Sequence, residues 1–315
     1  MKYGFGVDLG GTTVKLGYFD ETGNLLEKWE IPTVTENDGA QILPDIAASI
    51  RNYLTKNNIP DADILGIGIG VPGPVNRVGV VNKCINLGWG VFNVAQSLSD
   101  LTGFPVKAGN DATVAALGEY WKGGGMGYNT IVFVTLGTGV GGGIIVEGKP
   151  VYGVHGAGGE IGHIVLNRNE TVPCSCGKYG CVEQYCSATG IVRTAKRCLN
   201  RDTRPSVLRQ LENMTCKDIF DAGAAGDAVA GTILEKVYDD LAEFMADVCC
   251  VLDPEAVVIG GGVSKAGQML LDGIQRHLHR YIFHAISGVH FAIANLGNDA
   301  GAYGAFKLIV DEVNK

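Results

Sequence analysis

The segment that most constrains this chain contains one histidine and three cysteines in the order H-x10-C-x-C-x4-C. These residues are His163, Cys174, Cys176 and Cys181. Thiolate and imidazole ligands in this number suit a closed, tetrahedral zinc site. Gly177 and Gly180 allow the chain to turn sharply between the second and third cysteine. The alternative is three reduced core cysteines and a surface histidine, but this set at such short range is uncommon by accident. The segment therefore predicts a structural zinc site.

Two carboxylates flank the predicted zinc ligands. Glu160 lies one helical turn before His163, and Glu183 lies just after Cys181. A bound ion would fix both carboxylates and the imidazole in place, which is the layout of a substrate site held in shape by a structural metal.

Composition limits the partners that the chain can have. The 315 residues suffice for one large or two medium domains, and 46% of them are hydrophobic. A net charge of -8 gives no electrostatic footprint for nucleic acid or an anionic membrane. The six cysteines outside the segment are typical of reduced thiols, and no secretory signal or membrane-spanning run is present. We expect a cytoplasmic protein with no nucleic-acid or membrane partner.

A glycine turn near the N-terminus is a candidate phosphate site. Strands are predicted at 3–8 and 13–19, and the turn between them follows Asp8 and contains Gly10, Gly11 and Thr12. Glycines here can expose consecutive backbone N–H groups that hold phosphate oxygens, with hydroxyls from Thr12 and Thr13 and a positive charge from Lys15. Asp8 could hold magnesium through water. The alternative is a hairpin turn without a ligand.

A second glycine turn contains Gly137, Thr138 and Gly139, between strands predicted at 131–136 and 144–147. The sequence matches G-x-G-x-x-G, but a strand follows where a dinucleotide site needs a helix. A P-loop-like pattern ending at Lys149 fails because Pro150 replaces serine or threonine. We expect the two hairpins to be able to grip one phosphate chain from two sides.

Asp111 is a candidate general base. A short strand at 106–108 is followed by Asn110 and Asp111, and a helix is predicted at 112–121. Asp111 would therefore lie at a strand end, where open α/β sheets bind ligands. A carboxylate there can equally be a simple N-cap. A loop at 86–89 offers the Asn86 amide and an aromatic ring to a polar ligand.

The remaining pattern predicts an α/β fold, since strands alternate with helices. Each half of the chain begins with two strands around a glycine turn. Further strands are predicted at 25–31, 64–70, 256–259 and 291–294, and further helices at 39–57, 187–199, 216–225, 227–252, 265–280 and 300–312.

Taken together, these motifs resemble those of the ROK family of sugar kinases, repressors and open reading frames, and most of all its bacterial ATP-dependent glucokinases. The resemblance also includes the Gly260-Gly261-Gly262-Val263-Ser264 segment and covers nearly the whole chain. It implies an actin-like ATPase (ribonuclease H-like) fold, with two α/β domains around a central cleft and a structural zinc knuckle. The expected domains are 1–118, with the helix at 300–315 packing back on it, and 119–299, which carries the zinc site.

The resemblance also implies roles for individual residues. Asp111 would be the base that accepts the proton of the attacking sugar hydroxyl. The sugar hydroxyls would be bound by Asn110, Glu160, His163 and Glu183, with contributions from Gly73 and Asn86. His163 would serve zinc and sugar with one ring nitrogen each. Both glycine turns would hold the phosphates of ATP with Mg²⁺, and Gly261 and Gly262 would lie against the adenosine.

The expected activity is phosphorylation of glucose to glucose 6-phosphate by ATP. The alternatives are another sugar (N-acetylmannosamine, N-acetylglucosamine, fructose or allose) and a non-catalytic sugar sensor. Repressors of the family carry a helix-turn-helix ahead of the first glycine hairpin, and here that hairpin begins at residue 3. A homodimer is expected by the same analogy.

Overall fold

The structure is a computed structural model and describes residues 1–286 and 288–313. The chain divides into two compact units. Unit 1 comprises Met1–Phe133, Gly143–Gly159 and Asn295–Lys315, and unit 2 comprises Val134–Gly142 and Glu160–Ala294. The domain limits expected from the sequence, 1–118 with 300–315 and 119–299, stay a prediction.

Strands and helices both occur throughout the described residues, so the predicted α/β class is confirmed. The strands are β1 Tyr3–Leu9, β2 Thr13–Asp20, β3 Leu25–Pro32, β4 Ile64–Val71, β5 Val80–Val81, β6 Phe92–Asn93, β7 Val106–Asn110, β8 Ile131–Leu136, β9 Val140–Val146, β10 Lys149–Pro150, β11 Ala256–Gly260 and β12 His290–Ile293. The helices are α1 Glu36–Gly39, α2 Ile42–Lys56, α3 Val94–Thr102, α4 Asp111–Lys122, α5 Glu183–Cys186, α6 Ala188–Arg201, α7 Cys216–Ala224, α8 Ala228–Leu252, α9 Gln268–Leu278 and α10 Ala300–Val313.

Two five-stranded sheets share one topology. The first has the order β3-β2-β1-β4-β7, and the second has the order β10-β9-β8-β11-β12. In the first sheet β1 pairs antiparallel with β2 and parallel with β4. In the second, β9 and β10 are antiparallel and β11 and β12 are parallel. The similarity expected between the two halves of the chain is therefore present, with a glycine hairpin at the start of each sheet.

The alternation of isoleucine and glycine in β4 separates two faces of the first sheet. Ile67 and Ile69 are fully buried in the core that also contains the apolar face of α2. Gly68 lies on the other face, where an added Cβ would be 1.6 Å from the carbonyl oxygen of Ala305 in α10. Gly6 in β1 meets Ala302 in the same way, at 2.0 Å. Glycine is therefore needed because α10 lies directly on the sheet.

Helix α10 also packs closely against α4. A Cβ on Gly304 would lie 1.6 Å from the carbonyl oxygen of Val114, and one on Gly118 would lie 2.2 Å from that of Ala300. Such close backbone approach brings the N-terminal end of α10 against the strands that carry the first glycine turn.

Three predicted elements begin at least three residues away from their start in the structure. Helix α2 begins at Ile42 instead of residue 39, because Gly39 has a left-handed backbone conformation with a φ of +65°. Helix α9 begins at Gln268, since Gly267 interrupts the helix predicted from residue 265. The strand predicted from residue 144 begins at Val140.

Helix α3 was not predicted. Its end signals are present in the sequence, because Asn93 caps its first turn through Gln96 N–H and Gly103 ends it in a left-handed conformation. Its apolar stripe is only two turns long, which is too short to identify a helix by periodicity.

None of the helices in the described residues has the length and apolar character that would span a bilayer.

Candidate active site

In the first glycine turn, which lies in unit 1, the backbone carbonyl groups accept hydrogen bonds from neighbouring residues. Strands β1 and β2 pair up to Leu9 and Val14, and Gly10 N–H donates to the carbonyl oxygen of Thr13 at 3.0 Å. Thr33 holds the outside of the turn: its hydroxyl donates to Gly10 O at 2.8 Å and its N–H donates to Thr12 O at 2.9 Å. A Cβ on Gly11 would meet nothing within 4 Å. The turn therefore leaves open space over its central glycine, as a phosphate-binding nest requires.

Asp8 lies beside the turn and is largely buried. Its Oδ2 is 3.8 Å from Nζ of Lys15, its partner in the strand register. Burial raises the pKa of the Asp8 carboxyl, and the positive charge of Lys15 opposes that rise. Gly301, in the first turn of α10, packs on the carboxylate: an added Cβ would lie 2.6 Å from Cγ of Asp8. The structure thus brings together Asp8, Lys15 and the start of α10.

The junction of β7 and α4 places Asp111 as the first residue of a helix. The N-cap is Asn110, whose Oδ1 accepts a hydrogen bond from Thr113 N–H at 3.2 Å. Oδ1 of Asp111 accepts one from Ala112 N–H at 2.7 Å. The N-cap role that the sequence allowed for Asp111 is therefore filled by Asn110.

Asn110 also reaches a second predicted sugar contact. Its Nδ2 donates to the carbonyl oxygen of Gly73 at 3.2 Å. Asn86 is exposed on a 3-10 turn, Ile85–Leu87. In unit 1, Asn110 is therefore hydrogen-bonded to Gly73 and is followed directly by Asp111.

The second glycine turn is anchored to the start of α6. Gly137 O accepts a hydrogen bond from Ala188 N–H at 2.8 Å, and Thr138 O accepts one from the Thr189 hydroxyl at 2.8 Å. Within the turn, Gly137 N–H donates to Gly139 O at 3.0 Å. As in the first turn, carbonyl groups are held by neighbouring residues.

The glycines after β11 have different roles. Gly261 has a φ of +82°, and an added Cβ would lie 2.5 Å from the carbonyl oxygen of Leu136. A Cβ on Gly262 would meet nothing within 4 Å. Gly261 is therefore required by the backbone and by packing, whereas Gly262 faces open space.

The four predicted zinc ligands converge. Their ligating atoms all lie within 4.8 Å of one another. Nδ1 of His163 is 3.8 Å from Sγ of Cys174, and Sγ of Cys176 is 3.7 Å from Sγ of Cys181. All nine cysteines lie within the described residues and are free thiols.

Glycines shape the loop that carries these ligands. Gly177 and Gly180 have φ values of +84° and +74°. A Cβ on Gly180 would lie 1.8 Å from the carbonyl oxygen of Asn167. The sharp turns expected between the second and third cysteine are present.

His163 presents its two ring nitrogens to different groups. While Nδ1 faces Cys174, Nε2 is 3.9 Å from Oε2 of Glu160. The His163 side chain is 29% exposed.

Glu183 bridges the cysteine loop and the second glycine turn. Its Oε1 accepts a hydrogen bond from the Ser175 hydroxyl at 2.9 Å, and its Oε2 accepts one from Val140 N–H at 3.2 Å. Val140 is the first residue after the Gly137–Gly139 turn. Unit 2 therefore connects the cysteine loop and a candidate phosphate turn through one carboxylate.

A family model described as ROK family matches residues 4–312 of this chain.

The chain belongs to the ROK family.

Curated relatives match nearly the whole chain. The glucokinase of Halalkalibacterium halodurans is 40% identical over 314 residues, covering 98% of this chain and 95% of the relative. The glucokinase of Thermotoga maritima is 35% identical and covers 98% of this chain and 97% of its own length.

A solved ROK structure supports the fold assignment. The ROK family glucokinase of Streptomyces griseus, in complex with glucose and AMPPNP, is 32% identical and has a TM-score of 0.75 over 97% of this chain and 98% of that one. This ROK chain has the fold of the ROK sugar kinases, an α/β architecture with mixed sheets.

A cluster of charged side chains around Glu170 supports the loop that carries the cysteines of this ROK chain. No sequence motif indicates this cluster. Glu170, whose side chain is 3% exposed, accepts hydrogen bonds from Arg197 at 2.9 and 3.1 Å and from the Tyr185 hydroxyl at 2.6 Å. The Arg197 guanidinium holds the pKa of the Glu170 carboxyl far below its usual range. Arg193 lies 3.3 Å from the same carboxylate.

Other supporting residues were also missed. Ser175 and Thr33 act through their hydroxyl groups, and Gly301 acts through the absence of a side chain. The partners of Thr33 and Gly301 are distant from them in the sequence. Only Ser175 carried a usable signal, because it lies between two predicted ligands.

Proposed function

We propose that this chain transfers the γ-phosphoryl group of ATP to the 6-hydroxyl of glucose, with Asp111 as general base. The observation that carries the proposal is the junction of β7 and α4, where Asn110 caps the helix and Asp111 is the first helical residue. The two glucokinases at 35–40% identity support the choice of substrate.

The chemistry requires positioning and charge neutralisation more than covalent participation by the protein. Asp111 accepts the proton of the sugar hydroxyl as its oxygen attacks the γ-phosphorus. The new O–P bond forms while the bond from the γ-phosphorus to the bridging oxygen breaks, and ADP leaves. A carboxylate suits this task because it needs hydrogen-bond reach and not an unusual pKa.

The phosphates are assigned to the two glycine turns. In unit 1 the residues are Gly10, Gly11, Thr12, Thr13 and Lys15, and in unit 2 they are Gly137, Thr138 and Gly139. Asp8 would hold Mg²⁺, which would neutralise charge on the phosphate oxygens, and its buried position next to Lys15 fits a carboxylate that binds through water. Gly261 and Gly262 are assigned to the adenosine.

The sugar hydroxyls are assigned to Gly73, Asn86, Asn110 and Asp111 from unit 1 and to Glu160, His163 and Glu183 from unit 2. Amide and carboxylate groups suit this task because sugar hydroxyls both donate and accept hydrogen bonds. Nε2 of His163, which faces Glu160, is assigned to a sugar hydroxyl because Nδ1 faces Cys174.

The cysteine cluster fits zinc on its own geometry. A tetrahedral ion with Zn–S bonds of about 2.3 Å implies S–S edges of about 3.8 Å. The Cys176–Cys181 separation is 3.7 Å and the Cys174–His163 separation is 3.8 Å. With four protein ligands the ion would have no open position, and so we assign it a structural role that orients His163 and Glu183. The cytoplasmic location and the homodimer also stay predictions. Sedimentation of the purified protein tests the homodimer.

The test is a coupled ADP-release assay with magnesium-ATP and a panel of hexoses and N-acetylhexosamines. We expect glucose to give the highest kcat/KM. The Asp111→Asn variant is expected to lose turnover by at least about 10³-fold while glucose binding, measured by calorimetry, is largely kept. Preference for an N-acetylhexosamine would overturn the substrate, and an unchanged Asp111→Asn rate would overturn the base.

A further inference from the structure

Cys84 is a buried residue in unit 1 at which several backbone segments meet. Its N–H donates to Trp89 O at 3.0 Å. Its carbonyl oxygen accepts from Leu87 N–H at 3.1 Å and from Trp89 N–H at 3.0 Å. The backbone of Cys84 therefore closes the turn that carries Asn86.

The Cys84 side chain points to a different segment. Its thiol donates to the carbonyl oxygen of Pro72 at 2.7 Å. The next residue, Gly73, is packed against Cys84, since an added Cβ would lie 3.4 Å from Cβ of Cys84 and 3.1 Å from the carbonyl oxygen of Lys83. The Pro72–Gly73 peptide is thus held on the Cys84 side by a hydrogen bond and by close contact.

The next peptide, Gly73–Pro74, is held by the junction of β7 and α4. Gly73 O accepts a hydrogen bond from Nδ2 of Asn110, and Oδ1 of Asn110 caps the helix that begins with Asp111. The bonded path runs from the Cys84 thiol through Pro72 and Gly73 to Asn110. Cys84 accordingly links the three segments that supply the sugar contacts of unit 1.

The thiol is suited to a donor role at neutral pH. Cys84 is 1% exposed, and burial raises the pKa of its thiol. The proton therefore stays on sulfur, where it can be donated to the carbonyl oxygen of Pro72.

We propose that Cys84 is a positioning residue for the sugar side of the active site. Its thiol fixes the Pro72–Gly73 peptide and its backbone fixes the Asn86 turn, so that Gly73, Asn86 and Asn110 keep one arrangement around the sugar. This inference rests on the proposed function, since it assumes that these residues bind the phosphoryl acceptor.

The experiment compares Cys84→Ala and Cys84→Ser with Cys249→Ala. Cys249 is equally buried but lies in α8, and so its replacement controls for the loss of a buried sulfur. Kinetic constants for glucose and ATP are measured separately, and glucose binding is measured by calorimetry. Thermal melting shows whether each variant is folded.

Cys84→Ala is expected to raise the glucose KM and Kd about ten-fold, with the ATP KM unchanged, because only the arrangement of the sugar contacts is released. Cys84→Ser keeps a donor and is expected to recover to within about three-fold of the unmodified protein. Cys249→Ala is expected to lower the melting temperature without a change in the glucose KM.

Equal glucose constants for Cys84→Ala and Cys249→Ala, with an active unmodified protein, would overturn the positioning role and leave the proposed function intact. Failure of Cys84→Ser to recover would also overturn it, because the donor would then not matter. Absence of turnover in the unmodified protein with every sugar would instead overturn the proposed function, and this inference with it.

Discussion

Oε2 of Glu183 accepts a hydrogen bond from the backbone N–H of Val140 at 3.2 Å. Because Val140 directly follows the Gly137–Gly139 turn, this bond ties a residue assigned to the sugar to a turn assigned to the phosphates. The other carboxylate oxygen is held by the hydroxyl of Ser175, which lies between Cys174 and Cys176, at 2.9 Å. Glu183 therefore couples the position of the cysteine loop to that of the glycine turn.

The Glu183→Met variant tests this coupling. Methionine keeps about the length of the side chain but has no carboxylate oxygen, and so it releases both the Val140 N–H and the Ser175 hydroxyl. We expect kcat/KM to fall about 10–100-fold for glucose, with an increase in the ATP KM as well.

Ser175→Ala is the matched control for Glu183→Met, since it removes only one of the two partners. It is expected to raise the glucose KM by about three-fold and to leave the ATP KM unchanged. An ATP KM that Glu183→Met does not alter would contradict the coupling.

The metal prediction follows from the convergence of one histidine and three cysteines. We expect about one zinc per chain by plasma mass spectrometry, and loss of the metal in Cys176→Ser, because one missing thiolate leaves an open site. Glucose affinity is expected to fall at least about ten-fold, since His163 loses the contact that fixes its ring. Cys250→Ser, at an exposed cysteine outside the cluster, is the control and is expected to keep both zinc and activity. Zinc-free unmodified protein with full activity would contradict the prediction.

The sequence was most informative where ligands are close together in the chain. The His163–Cys181 spacing identified a set of atoms that the structure brings within 4.8 Å. The glycine hairpins were also predictable, because a turn depends on adjacent residues. By contrast, Asn110 and Asp111 are both good capping residues, and only the backbone shows that Asn110 is the cap.

The glycines of β1 and β4 show why contacts between elements that are distant in the chain could not be predicted. Alternation in the sequence predicts a strand with two faces, and it does not say what covers the glycine face. The covering element is α10, which begins 229 residues after the end of β4 and 291 residues after the end of β1. The Glu170 cluster was missed for a related reason, since charged residues in a polar loop are normally exposed.

The Glu170 cluster gives a prediction about stability and pH. The pKa of Glu170 is lowered in the folded protein, chiefly by Arg197. Its contribution to the free energy of unfolding is therefore fully present above the unfolded pKa, near 4.5, and is lost as the pH falls toward the folded pKa. At pH 7, Glu170→Gln is expected to lower the free energy of unfolding by about 1–2 kcal/mol, because charge-assisted hydrogen bonds are lost but Arg197 is partly exposed and stays solvated.

Urea unfolding at pH 7 and pH 3.5 measures the Glu170 effect. The difference between the unmodified protein and Glu170→Gln is expected to shrink at pH 3.5. An exposed pair, Lys217 and Asp221, supplies the control Asp221→Asn, which is expected to change stability by less than about 0.5 kcal/mol at either pH. A difference that stays constant with pH would contradict the role assigned to Glu170.

Gly301 gives the sharpest test of the Asp8 position. An alanine Cβ there would lie 2.6 Å from Cγ of Asp8, so that the carboxylate has to move away from the start of α10. We expect Gly301→Ala to lower kcat with magnesium-ATP by about 10–100-fold and to raise the concentration of Mg²⁺ needed for half-maximal rate, while the glucose Kd stays within about two-fold. Gly231→Ala is the matched control, because Gly231 is also helical and its added Cβ would meet nothing within 4 Å. This control is expected to be as active as the unmodified protein and equally or more stable. If Gly301→Ala had a normal Mg²⁺ requirement, Asp8 would not depend on the space that glycine provides, and its assignment to the metal would lose its structural support.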